Sequence, residues 1–209
     1  TQEAISSSGN VVNFTATSTD INPTNPVVTC TPSSGSTFPI GINNVNCSAT
    51  DTAGNTANGS FTIKIQDTTA PIISLNGSSP VKVQVFGTYT ELGAIASDLV
   101  DGNLSAIVSG DTVDTSVLGT YTVKYNKTDA NGNIATEVTR TVNVVDESAP
   151  STTDNVPSLW QNTNTTITFS CTDNVDCLKV YYTMDGTNPT TSSSFVDVSS
   201  NWQFTISID

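Results

Sequence analysis

Nineteen aspartates and glutamates face six lysines and arginines in a 209-residue chain without histidine, and the acids recur at related places. Two of them open near-identical loops, Thr50-Asp51-Thr52-Ala53-Gly54-Asn55 and Thr128-Asp129-Ala130-Asn131-Gly132-Asn133. Asp67 begins a short joint ending in Ala70-Pro71, and Asp146 with Glu147 begins another ending in Ala149-Pro150. Asp98 and Asp101, with Asn103, fall in a further turn, as do Asp173 and Asp176. Carboxylate, amide and backbone oxygens in such loops suit a hard cation, which takes about six to eight oxygen ligands. Other chemistry is poorly served. Without histidine there is no His-based triad, base or zinc site, and no Gly-rich phosphate loop leads from a strand into a helix. Asp98 and Asp101 could be imagined as a glycosidase pair, but such pairs flank a substrate cleft, and these share one loop. The chain reads as a non-enzyme.

The elements that must position these acids follow from the repeat. The two loops lie a little under eighty residues apart, and a fixed period signals folding units in series. Each loop is followed by an alternating run and then an acidic Ala-Pro joint, which divides the chain into units at 1–69, 70–148 and 149–209. Many short alternating runs between turn signals predict an all-β chain of tandem immunoglobulin-like β-sandwiches, the first and third incomplete. In the first unit Val11 to Ala16, Val27 to Cys30, Val45 to Ala49 and Phe61 to Ile65 read as strands, with Phe61, Ile63 and Ile65 facing inward. In the second, strands are expected at Ile72–Leu75, Val81–Val85, Gly93–Ser97, Leu104–Val108, Thr120–Tyr125 and Val138–Val145. In the third they are expected at 165–172 and 178–184, with further closing strands still due where the chain stops.

On such a sandwich the second-to-third strand loop and the last hairpin loop lie at the end where the chain enters. For the second unit this brings Asp98, Asp101 and Asn103 towards Asp129, Asn131 and Asn133, with Asp67 arriving on the linker. Two like charges about 5 Å apart repel by roughly 1–3 kcal/mol at effective dielectrics of 80 to 20. Calcium is the cation expected to offset that and to stiffen the joint. The next joint repeats the theme with Asp146, Glu147, Asp173 and Asp176, and the first unit offers Asp20 and Asp51. The plainer alternative is that Asp51 and Asp129 cap their own turns while Asp67 and Asp146 solvate linkers.

Composition bounds the setting. Charged residues make up 12% of the chain, about half the usual share, with Ser and Thr in their place. A net charge of −13 argues against nucleic acid and against adsorption to anionic lipid. The cysteines form two close pairs, Cys30 with Cys47 and Cys171 with Cys177; an even count without zinc-type spacing points to disulfides and an oxidising compartment. Cys30 and Cys47 fall in predicted strands, so their bond would pin either neighbouring strands or opposed sheets. Sequons at Asn13, Asn46, Asn58, Asn76, Asn103, Asn126 and Asn164 permit glycosylation without arguing for it. No signal peptide is visible at Thr1 and no apolar run approaches a membrane span, so the expectation is a mature or excised piece of a secreted, cell-surface protein.

Val28-Thr29-Cys30-Thr31-Pro32-Ser33-Ser34-Gly35-Ser36-Thr37-Phe38-Pro39-Ile40-Gly41 and Val45-Asn46-Cys47-Ser48-Ala49-Thr50-Asp51 closely resemble the hyalin repeat (HYR) family, over roughly residues 4–67. The resemblance implies an extracellular immunoglobulin-like module associated with adhesion, here without its opening strand. Gly119 to Val123 leading into Thr128 to Asn133 resembles bacterial and archaeal immunoglobulin-like surface repeats. Tyr181 to Thr190 resembles the immunoglobulin-like module found beside some carbohydrate-active enzymes, an accessory that implies no catalysis. Together these imply a structural segment of a surface-layer protein or adhesin stalk, whose partners are neighbouring domains or further copies. The rivals are a glycan-binding array, using Trp160, Trp202, Tyr181 or Tyr182, and a filament subunit completed by a neighbour's strand.

Overall fold

The computed structural model describes residues 1–21, 25–156, 163–197 and 202–206, and among them every regular element is a strand. The first module contains β1 (Gln2–Glu3), β2 (Asn10–Val12), β3 (Val28–Thr31), β4 (Ser36–Phe38), β5 (Gly41–Thr50) and β6 (Thr56–Gln66). They form a sheet of order β1-β6-β5-β3 and a small β2-β4 sheet. The second contains β7 (Ile72–Leu75), β8 (Val81–Gln84), β9 (Ala94–Asp98), β10 (Gly102–Ser105), β11 (Ile107–Gly110), β12 (Gly119–Asn126) and β13 (Val138–Val145). Its sheets run β10-β9-β7 and β11-β12-β13-β8. The third contains β14 (Ser151–Asp154), β15 (Thr165–Thr172), β16 (Lys179–Tyr182), β17 (Ser194–Asp197) and β18 (Trp202–Ile206), in sheets β14-β15-β18 and β16-β17. By compactness the chain divides into two units, one of Thr1–Val81, Thr90–Thr112 and Thr122–Thr141, the other of Lys82–Tyr89, Val113–Tyr121 and Val142–Asp209.

In the first unit the long β5–β6 hairpin supplies the core, because its alternate residues turn inward together. Val45, Ile63 and Ile65 are buried with Ala4, Val12 and Phe38, each larger side chain contributing about 1.5–3 kcal/mol by leaving water. Phe61 is only half covered, yet its ring meets that of Phe14 edge-on at 5.0 Å. Cys30 and Cys47 are direct cross-strand partners on β3 and β5, with Cα atoms 4.0 Å apart. Of the two arrangements left open by the sequence, the bond therefore pins neighbouring strands. The Cys171–Cys177 bond closes a short loop after β15 in the second unit.

A buried ion pair at β13 belongs to the first of these compact units. Arg140 is 1% exposed and ion-paired with Glu91. Its guanidinium also donates to the Tyr125 hydroxyl at 2.8 Å and to the Ser78 carbonyl at 3.3 Å, and to the Asn76 carbonyl. Tyr125 in turn donates to Glu91 Oε1 at 2.6 Å, as does the Gly93 N–H at 2.6 Å.

Two expectations about strands are corrected, and one strand was not anticipated. The run Leu104–Val108 is not one strand: β10 pairs with β9 and β11 with β12 in the other sheet. The chain changes sheets at Ala106, whose N–H donates to the Ala94 carbonyl at 3.1 Å. The run Val11–Ala16 contributes only its first residues to a ladder, because β4, its partner, is three residues long. Ser151–Asp154, which carries no apolar alternation, is an exposed edge strand held by backbone pairing to β15.

Candidate functional site

The repeated loop folds the same way twice. In the first copy Asp51 Oδ1 accepts from the N–H groups of Ala53 at 2.9 Å and Asn55 at 2.8 Å, and Oδ2 accepts from Asn55 Nδ2 at 2.8 Å. In the second, Asp129 Oδ1 accepts from Asn131 at 2.9 Å and Asn133 at 2.8 Å, and Oδ2 from Asn133 Nδ2 at 2.7 Å. Gly54 and Gly132 hold φ of 89° and 92°, which explains the glycine in both copies. The Asn55 side chain, then its N–H, holds the Asp51 carboxyl below its ordinary value. Burial pushes Asp129 up, but Asn133, Asn131 and Gly132 outweigh it and the group also titrates low.

Asp129 thus spends its oxygens on its own turn, while the turn serves the joint. Asn131 Nδ2 donates to Asp67 Oδ2 at 3.0 Å, and Asn133 Nδ2 lies 3.3 Å from the Asp67 carbonyl. The Ala130 N–H donates to Asp101 Oδ2 at 3.0 Å. Asp67, on the linker after β6, is buried, and its Oδ1 accepts from the Thr69 N–H at 3.1 Å. Asp98 and Asp101 come from the β9–β10 turn and are half-buried.

Asp67, Asp98 and Asp101 each offer a carboxylate oxygen, the three atoms lying within 4.8 Å of one another. That span is about twice a calcium–oxygen bond of ~2.3–2.6 Å. No lysine or arginine is ion-paired with any of the three among the described residues. Asp98 Oδ1 accepts from the N–H groups of Val100 at 2.7 Å and Asp101 at 2.9 Å, while its Oδ2 is buried without a hydrogen-bond partner. A buried carboxylate oxygen without a partner is costly, and three clustered carboxylates are the donor type that a hard divalent ion takes. Asn103, expected nearby, accepts from the Ser97 hydroxyl at 2.8 Å instead.

Two residues at this joint were not anticipated. Glu3 accepts from the Thr68 N–H at 2.7 Å, the Thr68 hydroxyl at 2.7 Å and the Thr69 hydroxyl at 2.9 Å, and the Thr68 N–H foremost holds its carboxyl low. Val100, at the tip of the β9–β10 turn, is 8% exposed and packs into the core of the first module with Ala4, Val12, Phe38, Val45, Ile63 and Ile65. An apolar tip in an acidic turn was the signal for Val100; nothing local marks Glu3.

The remaining candidates are arranged differently. Glu147 is ion-paired with Lys82. Asp146 Oδ1 accepts from Gln84 Nε2 at 3.0 Å. With the Asn174 amide turned to satisfy both its ends, its nitrogen donates to Asp146 at 3.0 Å and Asp173 at 2.6 Å, and its oxygen accepts from Gln84. Asp176 is exposed, and among the described residues these four form no second three-carboxylate group. Asp20 Oδ1 accepts from the Ile21 N–H at 2.6 Å. Asn13, Asn46, Asn58, Asn103 and Asn164 are exposed, whereas Asn76 and Asn126 are half-buried and Asn76 Nδ2 is engaged by the Leu92 carbonyl. Tyr181 and Tyr182 are half-buried and meet Phe195 and Phe169 at 5.8 and 5.9 Å between ring centroids. Trp160 and the Trp202 side chain lie outside the described residues.

Strands gathered in several sheets, with no helix among the described residues, define an all-β chain of tandem immunoglobulin-like sandwiches. The family matches agree: residues 3–65 match the HYR domain, residues 73–144 the bacterial surface protein immunoglobulin-like domain, and residues 160–207 the chitobiase/beta-hexosaminidase C-terminal domain. The matched segments are consistent with an HYR domain followed by immunoglobulin-like repeats, which are non-catalytic module types. No curated protein matches it.

Proposed function

We infer that this chain is a mechanical segment of a surface-layer protein or adhesin stalk, in which sandwiches are held in line by stiff joints and calcium completes the first joint. The observation that carries the reading is the clustering of the Asp67, Asp98 and Asp101 carboxylates, one of which has a buried oxygen without a partner. One acid leaves the first module and two belong to the next, so a cation bound by all three bridges them. The three carboxylates would supply the charge, and water or backbone oxygens would fill the rest of a shell of about six to eight ligands. Neighbouring modules and further copies are the partners this reading calls for.

Calorimetric titration of metal-free protein with calcium tests it. Saturable binding near the ~0.1–1 mM affinities of extracellular modules, lost in Asp98→Asn, is expected. Absence of saturable binding at millimolar calcium would sink the idea.

A further inference from the structure

We propose that calcium and Val100 form one latch: filling the Asp67–Asp98–Asp101 site seats Val100 in the core of the first module, and seating Val100 tightens the site. The proposal rests on the calcium reading above and adds the regulation of that site. Asp98 connects the two events. One of its oxygens shapes the turn by accepting from the N–H groups of Val100 and Asp101, at 2.7 and 2.9 Å, and the other is buried without a hydrogen-bond partner, while the carboxylate lies in the cluster with Asp67 and Asp101. Without a cation, the negative charge on Asp98 and Asp101 repels Asp67 and pushes the turn away from the linker. The same displacement draws Val100 out of the pocket it shares with Phe38, Val45, Ile63 and Ile65. With a cation bound the sign reverses, and apolar burial and ligation pull the turn in one direction. Coupling of this kind is reciprocal, so a side chain that offers the ion no ligand still sets its affinity.

Calcium titration of the unmodified chain and of Val100→Ala by calorimetry reads the coupling directly. Removing two methyl groups from the buried site should weaken calcium binding about tenfold, although every carboxylate remains. The second measurement needs no variant, so it stands even if Val100→Ala fails to fold. Hydrogen exchange at the Val100 and Asp101 amides of the unmodified chain should slow about tenfold or more when calcium is added. Unchanged calcium affinity in a folded Val100→Ala, or unchanged exchange on saturation, overturns the latch and leaves the calcium site standing. Absence of calcium binding by the unmodified chain overturns both.

Discussion

Replacing Arg140 with methionine tests whether the buried network at β13 holds its module together. Arg140 is 1% exposed, and its loss leaves the Glu91 carboxylate without its counter-charge and the carbonyls of Asn76 and Ser78 without that donor. Methionine fills most of the volume, so the penalty is electrostatic rather than a cavity. Removing one member of a buried pair typically costs ~3–5 kcal/mol. Glu91 keeps 25% side-chain exposure and the Tyr125 and Gly93 donors, which places the expectation near the lower bound, about 3 kcal/mol. With a urea dependence of ~1–3 kcal/mol per molar, the midpoint of the transition that includes this module should fall by about 1–3 M. Urea unfolding followed by near-ultraviolet circular dichroism of the tyrosines reads that shift. The double replacement R140M/E91M should recover much of the loss, because an apolar substitute for a whole buried pair is often neutral. A single-variant cost below ~1 kcal/mol, the range of an exposed pair, would refute the reasoning.

Acid should weaken the turns through Asp51, Asp129 and Glu3, whose folded pKa values all lie below their ordinary 3.8, 3.8 and 4.5. Depressed carboxyls contribute stability that is present above the unfolded values and lost as pH falls through the folded ones. Calcium-free melting temperature should therefore drop below pH ~4.5, and the drop should be shallower in Asp129→Asn; parallel pH profiles for the two proteins would argue against the capping role. Gly132→Ala should lower stability by about 1–2 kcal/mol through backbone strain alone, since φ is 92° and an added Cβ would meet nothing within 4 Å. Thermal melts showing no loss would mean that the turn relaxes to another conformation.

Much of this architecture was legible because its signals are local and repeated. The Thr-Asp-x-x-Gly-Asn phrase needs only an acid, a left-handed glycine and an amide within one turn, so both copies could be recognised as the same structure. Sandwich geometry then placed Asp67 beside Asp98 and Asp101. The same reasoning overcounted Asp129, because residue type alone does not reveal that the turn already occupies both of its oxygens. At the following joint, neutral Asn174 and Gln84 interleave with Asp146 and Asp173, and a search for charged ligands passes over amides. Arg140 was legible and missed: it falls in phase with Val142 and Val144 on β13, so its inward position was available from alternation. Its partner Glu91 comes from an irregular segment, and no period announces it.

The placement of the first disulfide has a consequence for a protein under tension. Because Cys30 and Cys47 sit opposite one another on adjacent strands, the bond shortens the path that force takes through the module. When an oxidised module is pulled open, the residues between the two sulfurs stay slack, and the 17-residue separation withholds about 60 Å of contour length. Reduction would return that length to each unfolding event. In the stalk proposed above, the redox state of the surroundings would therefore set how much length the first module releases when it is pulled open.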